Sequence, residues 1–124
     1  MPSMAVENRG TYIYAKFTGP LERGEIGKAA DEARLILDKH PGMNLLIDDS
    51  ELRYKDLTAN NKMESLEALR LVNSCEKVAA VIAKEDEKLL YYAKFALNYG
   101  KFKKVKLSHD LDEAIAWVSS NTES

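Results

Sequence analysis

Apolar positions switch repeatedly between a period of two and a period near three and a half, which predicts strands alternating with helices. From Thr11 to Phe17 the chain is β-branched and aromatic and places Ile13, Ala15 and Phe17 on one side of an extended strand. Met4 to Asn8 predicts a shorter strand before it, with Arg9-Gly10 as the turn of an antiparallel hairpin. Thr18-Gly19-Pro20 ends the pair. Between about Glu22 and Lys39 the spacing becomes helical: Ile26, Ala29, Ala30, Ala33, Ile36 and Leu37 form one face, and Glu25, Lys28, Asp31 and Glu32 cover the other. His40-Pro41-Gly42 stops this helix, because proline disfavours helical geometry in the residue before it.

Met43 to Ile47 is a short apolar run between helices and reads as a buried parallel strand, with Asp48-Asp49-Ser50 opening a polar loop after it. A second helix begins near Thr58 or Asn60 and points Met63, Leu66, Leu69 and Val72 inward. Lys77 to Ala83 is nearly all apolar and is expected to be the central strand. A third helix runs from about Glu85 to Tyr99, acidic in its first turn and stopped by Gly100. Lys103 to Ser108 forms the last strand. Asp110, with Glu113 three positions on, predicts a capping box for a helix that buries Leu111, Ala114, Ile115 and Val118. The order is ββαβαβαβα, since parallel neighbours need a crossover between them. The expected fold is α/β: a mostly parallel five-stranded sheet with an N-terminal antiparallel hairpin strand and four helices, in one domain spanning residues 1–124.

Composition narrows the function classes. A net charge of −2 with 31% charged residues gives no global pull towards nucleic acid or an anionic membrane. One cysteine, Cys75, allows no internal disulfide, and the N-terminal segment lacks a signal-peptide pattern. No apolar run has the length of a transmembrane span. A cytoplasmic protein is expected.

Three segments resemble the STAS domain, the fold of bacterial anti-sigma-factor antagonists. Lys77 to Ala83 looks like the family's central strand. Lys104 to Leu107 followed by Leu111 to Trp117 looks like its last strand and closing helix, especially in the SpoIIAA-like branch. Leu45-Leu46-Ile47-Asp48 and Asp56-Leu57-Thr58-Ala59 fall at the spacing of the strand and helix start around the family's switch. There the resemblance implies an Asp-Ser-Ser-Gly signature whose first serine is phosphorylated. Asp56 matches the aspartate, but Leu57 stands in place of that serine and has no hydroxyl. Thr58, one residue later, is the remaining candidate for phosphorylation.

Two regions are candidate binding sites. The loop from Asp48 to Thr58 leaves the carboxyl end of a parallel strand, where α/β sheets bind ligands, and leads to a helix N-terminus suited to an anion. Arg53, Tyr54 and Thr58 would hold such a group, while Asp48, Asp49 and Asp56 would oppose it or draw a metal ion. A solvated loop with Asp56 or Thr58 capping the helix is the competing reading. On the third helix, Leu89, Ala93, Ala96 and Leu97 suffice for a core face, Tyr92 and Tyr99 flank it, and Tyr91 and Phe95 turn towards solvent. That aromatic surplus fits a protein interface or a ligand groove. Five lysines between Lys94 and Lys106 interleave with Phe95, Tyr99 and Phe102, but without arginine they argue against nucleic acid.

Catalytic signals are lacking. His40 and His109 sit at helix boundaries with no Cys or His at metal-ligand spacing, so no metal site is assigned. Cys75 lies near a helix C-terminus beside Glu76, where a thiol is not activated. The glycines form neither a P-loop nor a dinucleotide fingerprint. The expectation is a non-enzymatic regulatory or interaction domain, without cofactor, that docks a protein partner or a second copy of itself. The alternative is a domain for a small hydrophobic or anionic ligand, a lipid or nucleotide, with its pocket between the third helix and the 48–58 loop.

Overall fold

A computed structural model describes residues 3–100 and 105–120, the side chains of residues 99 and 100 excepted. The elements follow the expected order: β1 (Met4–Asn8), β2 (Tyr12–Thr18), α1 (Glu25–Lys39), β3 (Asn44–Glu51), α2 (Ala59–Ala68), β4 (Val78–Ile82), α3 (Glu87–Gly100), β5 (Val105–Ser108) and α4 (Leu111–Ser119). Short 3-10 turns, Tyr54–Asp56 and Leu69–Ser74, stand on either side of α2. The strands lie side by side as β1-β2-β3-β4-β5, the first pair antiparallel and the others parallel.

Because consecutive strands are neighbours, every right-handed crossover steps in the same direction and delivers its helix to the same face. Helices α1, α2 and α3 therefore share one side of the sheet. There Ile13, Ala15 and Phe17 of β2, Leu45 of β3 and Val78 and Ile82 of β4 meet Ala29, Ala33 and Leu37 of α1, Val72 and Leu89. After β5, α4 packs on the opposite face. Its Ala114 and Val118 seal Tyr12, Tyr14, Leu46, Ala79 and Val81. Burial of each large aliphatic side chain contributes about 1.5–3 kcal/mol.

Polar residues fix the element ends. At the hairpin, Gly10 takes φ +87°, a region glycine enters without strain, and its N–H bonds to Asn8 Oδ1 at 2.9 Å. Gly24, also at φ +87°, delays the start of α1 from the expected Glu22 to Glu25. Thr58 caps α2 through a reciprocal box with Asn61, each side chain accepting the other's backbone N–H at 3.0 Å. At α4 the box forms by half. Asp110 Oδ1 accepts from Glu113 N at 3.2 Å, but Asp110 N bonds to Ser108 Oγ and the Glu113 carboxylate pairs with Lys106 at 3.1 Å. Asn44, buried at the start of β3, donates to Val118 O at 2.7 Å and accepts from Lys77 N at 3.0 Å, tying the end of α4 to two strands.

Three expectations are corrected. β3 does not end at Ile47 but continues through Asp48, Asp49 and Ser50, pairing Asp48 with Lys16 and Val81. The apolar run Val78–Ile82 lies between β3 and β5, whereas the middle strand of the five is β3. Met63 does not point inward and is 63% exposed; α2 turns Asn61, which is fully buried, and Ser65 and Ala68 towards the core instead. Lys103, Lys104 and Phe102 fall outside the described residues. Among the described residues no helix is long and apolar enough to cross a membrane.

Candidate functional site

A parallel sheet covered by helices normally seals its inward residues. Ile13, Val78 and Ile82 obey this, yet Ile47, Ala80, Val105 and Leu107 on the same face keep accessible surface. The surface faces a cavity of about 180 Å³ between the sheet and the three helices. Ala29 and Ala33 of α1, Ser65 and Ala68 of α2, and Ala93 and Ala96 of α3 roof it, and Leu52 and Leu57 close it from the segment between β3 and α2. Its origin is steric. Ala68, Ala80, Ala93 and Ala96 are small and line it together, so little side-chain volume fills this space.

Among the described residues the walls are apolar apart from three side chains. Ser65 Oγ and Tyr92 Oη share a hydrogen bond of 2.7 Å, and Tyr92 Oη donates to Lys62 O at 2.9 Å, so both hydroxyls are satisfied. The third is Asp49, whose buried Oδ1 has no hydrogen-bond partner among the described residues. Asp49 keeps some accessible surface and lines the cavity. Loss of solvation, with the charge of Asp48 adding to it, pushes the Asp49 carboxyl up to about 7.

Asp48 has the opposite fate. Side chains alternate across a strand, so the neighbour of Asp49 points to the α4 face. There it is sealed and fully engaged: Tyr14 Oη donates to Oδ2, and Ser50 donates to Oδ1 from its hydroxyl at 2.6 Å and its N–H at 3.0 Å. The sheet thus separates the two aspartates expected to act together. Asp56 packs against Gly19, so closely that a Cβ there would lie 2.5 Å from its Cγ. No three His, Cys, Asp or Glu side chains converge as a metal site among the described residues.

The remaining loop residues hold the structure in place. Arg53 donates to Ser50 O and Leu52 O at 3.0 and 3.1 Å and pairs with Glu85 at 3.0 Å. Tyr54 gives its N–H to Asp86 Oδ2 at 2.8 Å, while Asp86 Oδ1 caps α3 through Leu89 N at 3.0 Å. The Tyr54 ring lies 6.1 Å from that of Tyr92, with Lys62 Nζ 4.2 Å from its centre. The Thr58 hydroxyl is the cap acceptor of α2. On α3, Tyr91 and Phe95 stand 76% and 55% exposed, and the Tyr99 side chain lies outside the described residues. His109 Nδ1 contacts Ile82 O at 2.9 Å, and Cys75 is buried with its thiol on Leu71 O.

Sequence reasoning, in its alternative reading, set a pocket between the 48–58 segment and α3, but did not foresee that the sheet, α1 and α2 line the cavity as well. It treated Asp49 as a loop residue and Ala80, Ala93 and Ala96 as ordinary core. The sequence signal was the recurrence of alanine at inward positions of both β4 and α3. No family model matches the chain, and no curated protein matches it.

Proposed function

We propose that the protein is a non-enzymatic domain that holds a small, mainly apolar molecule between its sheet and α3. The observation that carries this is a partly open apolar cavity of about 180 Å³ between the sheet and the helices, of the same order as the roughly 150 Å³ engineered cavity that binds benzene. Pockets of this kind, with apolar walls and few polar groups, are the usual seat of small ligands. The resemblance to STAS domains supports the reading, since folds related to STAS include lipid-binding members. A phosphate switch at Thr58 fits less well, because its hydroxyl already caps α2. Mass spectrometry tests the proposal: the protein should carry extra mass under native conditions that is lost on denaturation, or gain one equivalent of benzene when exposed to it. Identical native and denatured masses, with no uptake of benzene, would rule out the cavity as a binding site.

A second reading, docking of a protein partner or a second copy, is favoured by the outward placement of Tyr91 and Phe95 one helical turn apart. Tyr91→Ser with Phe95→Ser should then abolish any concentration-dependent association in sedimentation while leaving the circular dichroism unchanged. A monomer at every concentration argues against self-association.

A further inference from the structure

One irregularity of the core is chemical rather than steric: a buried carboxyl oxygen, Asp49 Oδ1, without a hydrogen-bond partner among the described residues. Buried polar atoms are nearly always hydrogen-bonded, and an exception calls for a cause. Asp49 lines the cavity with its Oδ1 buried and unpartnered among the described residues, while the only other polar side chains in the wall, Ser65 and Tyr92, are already bonded to each other. Among the described residues no lysine, arginine or histidine lines the cavity, and the charge that acts on Asp49 is that of Asp48, of the same sign. The described residues thus leave that oxygen without a donor.

We infer that the ligand has an apolar body about the size of benzene or slightly larger and a single hydrogen-bond-donating end, a hydroxyl or a primary amine, which Asp49 receives. This rests on the cavity being a ligand site, and it adds the chemistry of the ligand's head. An apolar body satisfies the walls formed by Ile47, Ala80, Ala93 and Leu107. A donor offers the carboxyl the hydrogen bond that its Oδ1 lacks among the described residues. A ligand carboxylate is disfavoured, because its charge would leave water for apolar walls in which no cation stands among the described residues.

The test is a matched set of probes, hexan-1-ol, hexan-1-amine, hexanoate and hexane, titrated into the wild type, Asp49→Leu and Asp49→Asn. Wild type should bind the alcohol or the amine about tenfold or more tighter than hexanoate and hexane, in keeping with one buried hydrogen bond to a charged group. Asp49→Leu should lose that preference yet still take up hexane. Asp49→Asn, which keeps an acceptor oxygen but no charge, should retain the alcohol and lose the amine, separating the two heads. Equal affinity for all four probes in wild type, or tightest binding of hexanoate, would overturn the role of Asp49 and leave the cavity reading standing. If neither wild type nor a folded Asp49→Leu binds any probe, the cavity reading fails and the inference goes with it.

Discussion

Tyr14 reaches diagonally from β2 to donate its phenolic proton to Asp48 on β3, on the face of the sheet opposite Asp49. Burial, then the bond to Asp48, raises the Tyr14 phenol above its ordinary range, so it stays a donor at any pH the protein meets. With Ser50 it leaves Asp48 without an unmet need, and this is what allows a polar segment to run on as a strand. Tyr14→Phe removes one bond from a carboxylate that remains buried, which should cost about 1–3 kcal/mol in urea denaturation. A change within about 0.5 kcal/mol would mean that water reaches this carboxylate after all.

The carboxyl of Asp49 makes stability depend on pH with a definite sign. Its ordinary value is 3.8 and in the fold it is raised to about 7, so between these values the folded chain keeps a proton that the unfolded chain releases. Stability from this group is complete below pH 3.8, falls as pH rises towards 7 and is flat above it, a loss of up to about 4 kcal/mol. Asp49→Leu, which removes the group, should gain on wild type progressively across that window. Denaturation midpoints at pH 5 and pH 8 measure it, and a wild-type-to-variant difference that does not change with pH would show the carboxyl to be solvated.

The cap of α2 separates two residues that look alike in the sequence. Thr58 is exposed and makes one side-chain bond to the helix, so Thr58→Ala should cost about 1 kcal/mol. Asn61 is fully buried, accepts from Thr58 N and donates to Glu22 O at 3.0 Å, joining the helix to the entry of α1. Asn61→Ala should cost more, about 2–4 kcal/mol, since it strands two partners. Equal losses would mean the link to Glu22 contributes nothing.

Much of this architecture was legible because local pattern and burial agree. Ile13, Ala15 and Phe17 alternate as a strand on a covered face should, and Val78–Ile82 reads as apolar on both sides because helices cover both. The misreadings occur where a distant contact decides. Asp48-Asp49-Ser50 has loop composition, and it runs as a strand through distant contacts: pairing with Lys16, Val81 and Ile82, and the bond from Tyr14, thirty-four positions from Asp48. In α2 the periodic positions Met63 and Leu66 suggested one face, yet the helix turns about its axis so that buried Asn61 can reach Glu22. The lining of the cavity by the sheet, α1 and α2 was illegible for a different reason: alanine counts as core wherever it falls, and an unfilled space depends on which small residues border it. A topological switch point, the other guide to ligand sites, does not exist in a sheet whose strands run in sequential order.

That dependence on facing can be tested within a single dipeptide. Ala79 and Ala80 are neighbours on β4 but point to opposite faces. Ala79 is fully buried under α4, whereas Ala80 opens onto the cavity. Enlarging a residue in a filled core forces off-rotamer packing and costs about 1–3 kcal/mol, so Ala79→Leu should destabilise by that amount. Ala80→Leu places its added methyl groups in vacant space, with apolar burial worth roughly 0.8 kcal/mol per methylene available to offset strain. It should leave stability unchanged or raised and should abolish uptake of benzene or hexan-1-ol. Matching losses for the two variants would show that the α3 face is as tightly filled as the α4 face, and that no room for a ligand exists there.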